Sequence, residues 1–236
     1  MLGVGFALCA AIMLASMNMF AKLLSHLHDP VEITFWRNLV ALSLLIIGLI
    51  FLRKLSLLKT KRPWAQFFRS LVGTTGMIFS VWTAALMPLT TATAFIFTAP
   101  LFVILLSYPL LKERVGPFRF AAVIIGFSGV FLIANPEGGI EPLALCGGLL
   151  AGFFNSLVAI FLRWLGSTEN TATTNFYFFL YGLIGTGLAM PFIYTPPSQE
   201  TSLWILAIGI VGLFSLLFKT QGFRLGSAAL ISPISY

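Results

Sequence analysis

Few side chains in this sequence are equipped for chemistry, and most of them sit inside long apolar runs. Arg37 lies five residues into the run that begins at Ile33. Five helical residues amount to only about 7 Å of depth. An arginine stem can snorkel that far, or pair with Glu32, and this is the favoured reading. The sharper alternative is a contact for an anionic group on a ligand. Asn155 sits nearest the middle of its run, where a buried amide needs a partner on another helix or on a ligand. Asn18, Thr74 and Gln221 are further polar candidates, and Trp82, Tyr177 and Tyr181 offer rings to a planar or cationic cargo. Aromatic residues at such positions otherwise pack or anchor. Pro100, in "AFIFTAPLF", removes one backbone hydrogen bond and frees a carbonyl. Two readings stand: a kink lining a substrate cavity, with Thr98 and the freed carbonyl facing in, or a packing kink.

"SHLHD" brings His26, His28 and Asp29 together. Metal ligation is possible in principle, but histidines at i and i+2 with no fourth ligand read as a solvated loop, so no metal is expected. Cys9 and Cys146 show no disulfide or metal spacing and are expected to pack as small buried hydrophobes. There is no phosphate-binding loop, nucleophile elbow or HExxH, which removes support for ATP-driven pumping and for standard hydrolysis. No cofactor is expected. The only aspartate is Asp29 and no glutamate falls near the centre of an apolar run, so proton coupling through an embedded carboxylate is not expected.

The elements that position these residues are set by composition. Of 236 residues, 58% are hydrophobic and 9% charged, with a mean hydropathy of +0.99. A soluble domain carries about 25% charged residues. This chain therefore has lipid as its solvent. Eight spans are predicted as helices: Leu2–Leu24, Ile33–Leu52, Gln66–Leu89, Thr91–Leu111, Phe118–Ala134, Leu143–Leu165, Thr174–Tyr194 and Ser202–Phe223. A ninth apolar piece, "AALISPISY", closes the sequence.

The net charge of +7 is an orientation signal, not nucleic-acid affinity. Placing "RKLSLLKTKR", Arg69, Lys112, Arg114, Arg119, Arg163, Lys219 and Arg224 on one side gathers 12 of the 14 basic residues there. The opposite loops hold Asp29, Glu32, Glu137, Glu141 and Glu200. The positive-inside rule makes the basic side and the N-terminus cytoplasmic. Lys22 and Lys219 read as interface anchors, with a cavity-facing position as the alternative for either.

A shift of 141 residues sets the second span over the seventh, matching Phe35 with Phe176, Phe51 with Phe192, and Lys22 with Arg163. A shift of 133 sets Pro100 over Pro233, so the closing stretch reads as a second copy of the fourth span and Pro233 joins the cavity candidates. An odd number of spans per copy inverts the second copy in the membrane, a hallmark of secondary transporters. The expected organisation is a first five-helix repeat over 1–136 and an incomplete second repeat over 143–236. On this pattern the ten-helix protein would run roughly 50 residues further.

"ITFWRN", "TTATAFIFTAPLFVILLSYPLLKER" and "GFSGVFLIANP" resemble the drug/metabolite transporter superfamily, and within it the EamA-type permeases. "PLTTATA" and "TPPSQE" resemble the branch containing S-adenosylmethionine uptake carriers. The resemblance implies an all-α polytopic protein of inverted five-helix repeats in the cell inner membrane. It implies a permease moving a small-molecule substrate by alternating access, and members carry amino acids, nucleotide-sugar-like metabolites, vitamins or drugs. The sequence leaves a homodimer open. The rival readings are an intramembrane lipid-modifying enzyme, which has only His26, His28 and Asp29 to work with, and a non-transporting scaffold.

Overall fold

The computed structural model describes residues 2–111, 116–133, 142–226 and 231–234, which form helices joined by short loops, with no strand among them. Helix is what the hydrocarbon demands, because an apolar chain there must satisfy every backbone group within its own segment. The helices are α1 (Leu2–Leu24), α2 (Pro30–Phe51), α3 (Pro63–Leu86), α4 (Leu89–Ile96) and α5 (Ala99–Leu111). After them come α6 (Pro117–Ile133), α7 (Pro142–Leu165), α8 (Thr171–Gly187), α9 (Met190–Ile193) and α10 (Gln199–Leu225). Among the described residues, five segments are long and apolar enough to cross a membrane: α1, α2, Leu89–Ser107, α7 and α10.

Local chemistry marks the helix starts. Proline opens α2, α3, α6 and α7, where its missing N–H costs nothing. Asp29 caps α2 by accepting from the Val31 N–H at 2.8 Å. Asn170 caps α8 through the Ala172 N–H at 3.0 Å, and Ser198 caps α10 through the Thr201 N–H at 3.2 Å.

Two expected spans are each broken in two. The fourth divides at Phe97–Thr98, where the Thr98 N–H and hydroxyl both donate to the Phe95 carbonyl, at 3.0 and 2.6 Å. Pro100 is therefore the second residue of α5, a place that needs no N–H, and not a kink within one continuous helix. The Thr98 carbonyl accepts from the N–H groups of Leu101 and Phe102, and the carbonyl that Pro100 leaves without its helical donor is that of Ile96. The seventh span starts three residues earlier than expected and stops at Gly187, with Pro191 inside the separate turn of α9.

α1 packs along α10, α3 along α7, and α2 against α8, with α10 also against α2 and α3 against α8. The loop before α3 meets the turn before α8. The Lys61 N–H donates to Glu169 at 2.9 Å, the Thr173 hydroxyl donates to the Leu57 carbonyl, and the Arg62 guanidinium covers the Trp164 ring at 5.0 Å. At the other end of α2, Glu32 accepts from the Thr195 N–H at 3.2 Å. Basic Arg53, Lys54, Lys59, Lys61, Arg62 and Arg163 thus share one face, and Asp29, Glu32 and Glu200 the other. Lys112, Arg114, Glu137 and Glu141 lie outside the described residues, as does the side chain of Arg119.

Many large apolar side chains point outward, Phe51, Phe118 and Phe192 among them. Cys9 and Cys146 are also exposed, contrary to the expectation of buried packing: they face outward from α1 and α7, where lipid is as good a solvent for a thiol as the bundle interior.

Candidate functional site

A cavity lies between the two sets of helices, walled by α1, α2, α3 and α4 on one hand and by α7, α8 and α10 on the other. Its lining repeats at helical spacing. Arg69, Gly73, Met77 and Ser80 form one stripe on α3, and Gly212, Ser215, Leu216 and Lys219 form another on α10. Asn18 and Asn155 face it from α1 and α7.

Three cations line it, and two of them were missed as site residues. Arg69 is fully buried, and none of its three guanidinium nitrogens has a hydrogen-bond partner among the described residues. Arg37, 4% exposed, donates from Nη2 to Asn38 Oδ1 at 2.7 Å, while its Nε has no partner. Both guanidiniums sit on the Phe178 ring, 4.2 Å from its centroid for Arg69 and 5.4 Å for Arg37. Lys219 is buried on the same lining.

Three expectations are corrected here. Arg37 neither snorkels nor pairs with Glu32, because its stem lies across α10, where a methyl on Gly212 would meet Cδ at 3.3 Å. Glu32 is instead engaged by His28 Nδ1 at 3.1 Å, Trp36 Nε1 at 3.4 Å and the Thr195 N–H. Lys219 is not an interface anchor, and Arg69 is not part of a cytoplasmic surface charge. Lys22 faces protein as well: its ammonium donates to the Ala84 carbonyl and, at 3.2 Å, to that of Met87, closing the end of α3.

The small residues explain how the cavity holds this charge. A methyl on Gly73 would stand 2.7 Å from the Phe178 ring, so only glycine lets the ring that both arginines approach lie this close to α3. The ring faces offset part of the burial cost, by about 2 kcal/mol for a desolvated cation–π contact. An uncompensated interior charge costs several kcal/mol. Arginine does not escape by losing its proton. The site therefore stores unsatisfied donor capacity.

Asn155 donates to the Ala151 carbonyl at 2.8 Å and to Ser80 Oγ at 3.2 Å, tying α7 to α3 at the cavity edge. Of the other expected site residues, none lies on the lining. Gln221 accepts from the Thr171 hydroxyl at 2.6 Å and joins α10 to α8. Thr74 is buried where α3 meets α8 at Gly182. Trp82 packs on Phe79 and against Gly147. Tyr177 and Tyr181 stack at 5.8 Å, with Phe67 of α3 edge-on to Tyr181. Thr98 is spent on Phe95, Pro100 is half-buried, and Pro233 is exposed in the turn at 231–234. His26 is exposed, His28 is buried on Glu32 and Asp29 caps α2, so the "SHLHD" set disperses. No group of three or more metal-ligating side chains occurs among the described residues.

Residues 1–135 match the model of the EamA-like transporter family. The chain belongs to that family. A relative named as an uncharacterized transporter, from Helicobacter pylori, is 33% identical over 99% of this chain and 82% of its own length. An S-adenosylmethionine uptake transporter from Rickettsia felis is 23% identical over 99% of this chain and 79% of its own length. A solved protein structure superposes with a TM-score of 0.75 at 20% identity, covering 99% of this chain and 83% of that one, which establishes the fold. This EamA-like protein is a multi-pass membrane transporter, and its relatives are named as transporters, not enzymes.

Proposed function

We propose that this EamA-like protein is a secondary carrier that moves a small metabolite across the cell membrane by alternating access. The observation that carries the reading is the central cavity, whose walls come from both α1–α4 and α7–α10. On this reading 1–136 and 143–236 are inverted repeats rocking around that cavity. Exchange of the two repeats would map α1 on α7, α2 on α8 and α3 on α10. The pairings among these six helices are exchanged in step: α1 with α10 becomes α7 with α3, α10 with α2 becomes α3 with α8, and α2 with α8 maps onto itself. The helix caps agree, since Asp29 and Asn170 are 141 residues apart.

Sidedness follows from charge. The face carrying Arg53, Lys54, Lys59, Lys61 and Arg62 is cytoplasmic, which places the N-terminus inside. The test is uptake of labelled metabolites by proteoliposomes containing the full-length protein, against protein-free vesicles. Saturable, counterflow-stimulated uptake of any one class is the expected result. Absence of protein-dependent flux across amino acids, carboxylates, phosphate esters, nucleosides and vitamins overturns the carrier.

A further inference from the structure

We propose that the cavity takes a small organic anion, gripped through a carboxylate or phosphate group by Arg69 and Arg37. The proposal rests on the carrier reading only for its transport consequence; the binding site stands on its own geometry.

Two guanidiniums converge on one ring at 4.2 and 5.4 Å, and four of their nitrogens have no partner among the described residues: all three of Arg69 and Nε of Arg37. Both side chains line the cavity and are more than nine-tenths buried. Nothing acidic in the described chain answers them. Asp29 and Glu200 are exposed, Glu32 is held by His28, Trp36 and Thr195, and Glu169 accepts from the Lys61 N–H. None of these four lines the cavity. Lys219 adds a third positive group to the lining.

A monatomic anion would answer the charge but leave the forked donors idle. An oxyanion meets both, because its oxygens match the spacing of a guanidinium's paired N–H groups. The remaining wall specifies the rest of the cargo. Leu14, Met17, Met77, Val158 and Phe178 present apolar surface. An anionic head with an apolar or aromatic body fits this division, whereas a cationic cargo meets two buried guanidiniums and is rejected.

The test combines binding and flux on the full-length protein. Melting temperature in detergent is measured at constant ionic strength against a panel of carboxylates and phosphate esters, with choline and glycerol as cationic and neutral controls. The same compounds are then offered to proteoliposomes. A member of one anion class is expected to raise the melting temperature, and the responding class distinguishes carboxylate from phosphate. Arg69→Gln should keep a cooperative melt and weaken that binding about 10- to 100-fold, the scale of a lost charged hydrogen-bonding contact. Arg37→Gln, made separately, guards against one variant misfolding. Stabilisation by choline or glycerol alone, by no anion at all, or by anions equally in both variants overturns the proposal. Anion stabilisation without flux keeps the site and overturns the carrier, and flux of cationic or neutral cargo alone does the reverse.

Discussion

Gly152→Ala tests the packing that holds the broken fourth span against α7. A Cβ built at 152 lies 1.9 Å from Thr98 Oγ1, 3.0 Å from the Phe95 carbonyl oxygen and 3.3 Å from Thr98 Cβ. Thr98 is fully buried, and its hydroxyl donates to that same Phe95 carbonyl at 2.6 Å. The new methyl can be admitted in two ways. Thr98 can turn away and strand a buried hydroxyl, costing about 1–3 kcal/mol. Alternatively, α7 can back off, at about 1–3 kcal/mol for overpacking. Alanine's better helix propensity returns about 1 kcal/mol. The expected net loss is up to about 2 kcal/mol, read by equilibrium unfolding in mixed dodecyl sulfate micelles. Adding Thr98→Ala removes the clashing oxygen, so the double variant should be more stable than Gly152→Ala alone, although Thr98→Ala by itself destabilises by about 1 kcal/mol. A coupling of at least about 1 kcal/mol follows. The reasoning fails if the two losses simply add, or if Thr98→Ala makes the Gly152→Ala protein less stable still.

Arg69→Met exchanges an uncompensated buried charge for an apolar stem. Such replacements are neutral or stabilising by about 1–4 kcal/mol, and the lost contact with Phe178 trims the gain. The ligand-free variant should unfold no earlier than wild type, and a clear drop in its unfolding midpoint would count against the charge being uncompensated. Glu32→Gln leaves one oxygen where two serve His28, Trp36 and the Thr195 N–H. It should cost about 1–3 kcal/mol and increase proteolysis of the segment between α9 and α10; unchanged cleavage there would remove Glu32 as the tie. For sidedness, Lys59→Cys should react with an impermeant maleimide only in inside-out vesicles and Gln199→Cys only in intact cells. Labelling both from one side would contradict the arrangement of the loops.

Much of the framework was legible in the sequence for a local reason. Whether a run such as Leu2–Leu24 can span hydrocarbon depends on its own length and its own backbone hydrogen bonds, so the α1 and α7 boundaries fall within one residue of expectation. The loops' charge asymmetry is likewise written in order along the chain. The family resemblance carried by "TTATAFIFTAPLF" agrees with the family match.

The site was not legible in the same way. In water, an amphipathic stripe announces which face of a helix is buried; in lipid, the outside is as apolar as the core, so that signal fades. Arg69, Gly73, Met77 and Ser80 do recur at helical spacing, and an arginine with glycine four residues on was the available clue. Yet spacing cannot say whether that face meets lipid, a neighbouring helix or a cavity. Only the crossing of α2, α3, α8 and α10 decides it, by bringing two arginines from different helices onto the Phe178 ring. The same holds at Thr98, whose hydroxyl turns a continuous apolar run into two helices through one carbonyl and the glycine of α7 opposite it. Composition and order along the chain determined that this is a polytopic helical membrane protein; three-dimensional packing decided which of its cations are surface anchors and which face the cavity.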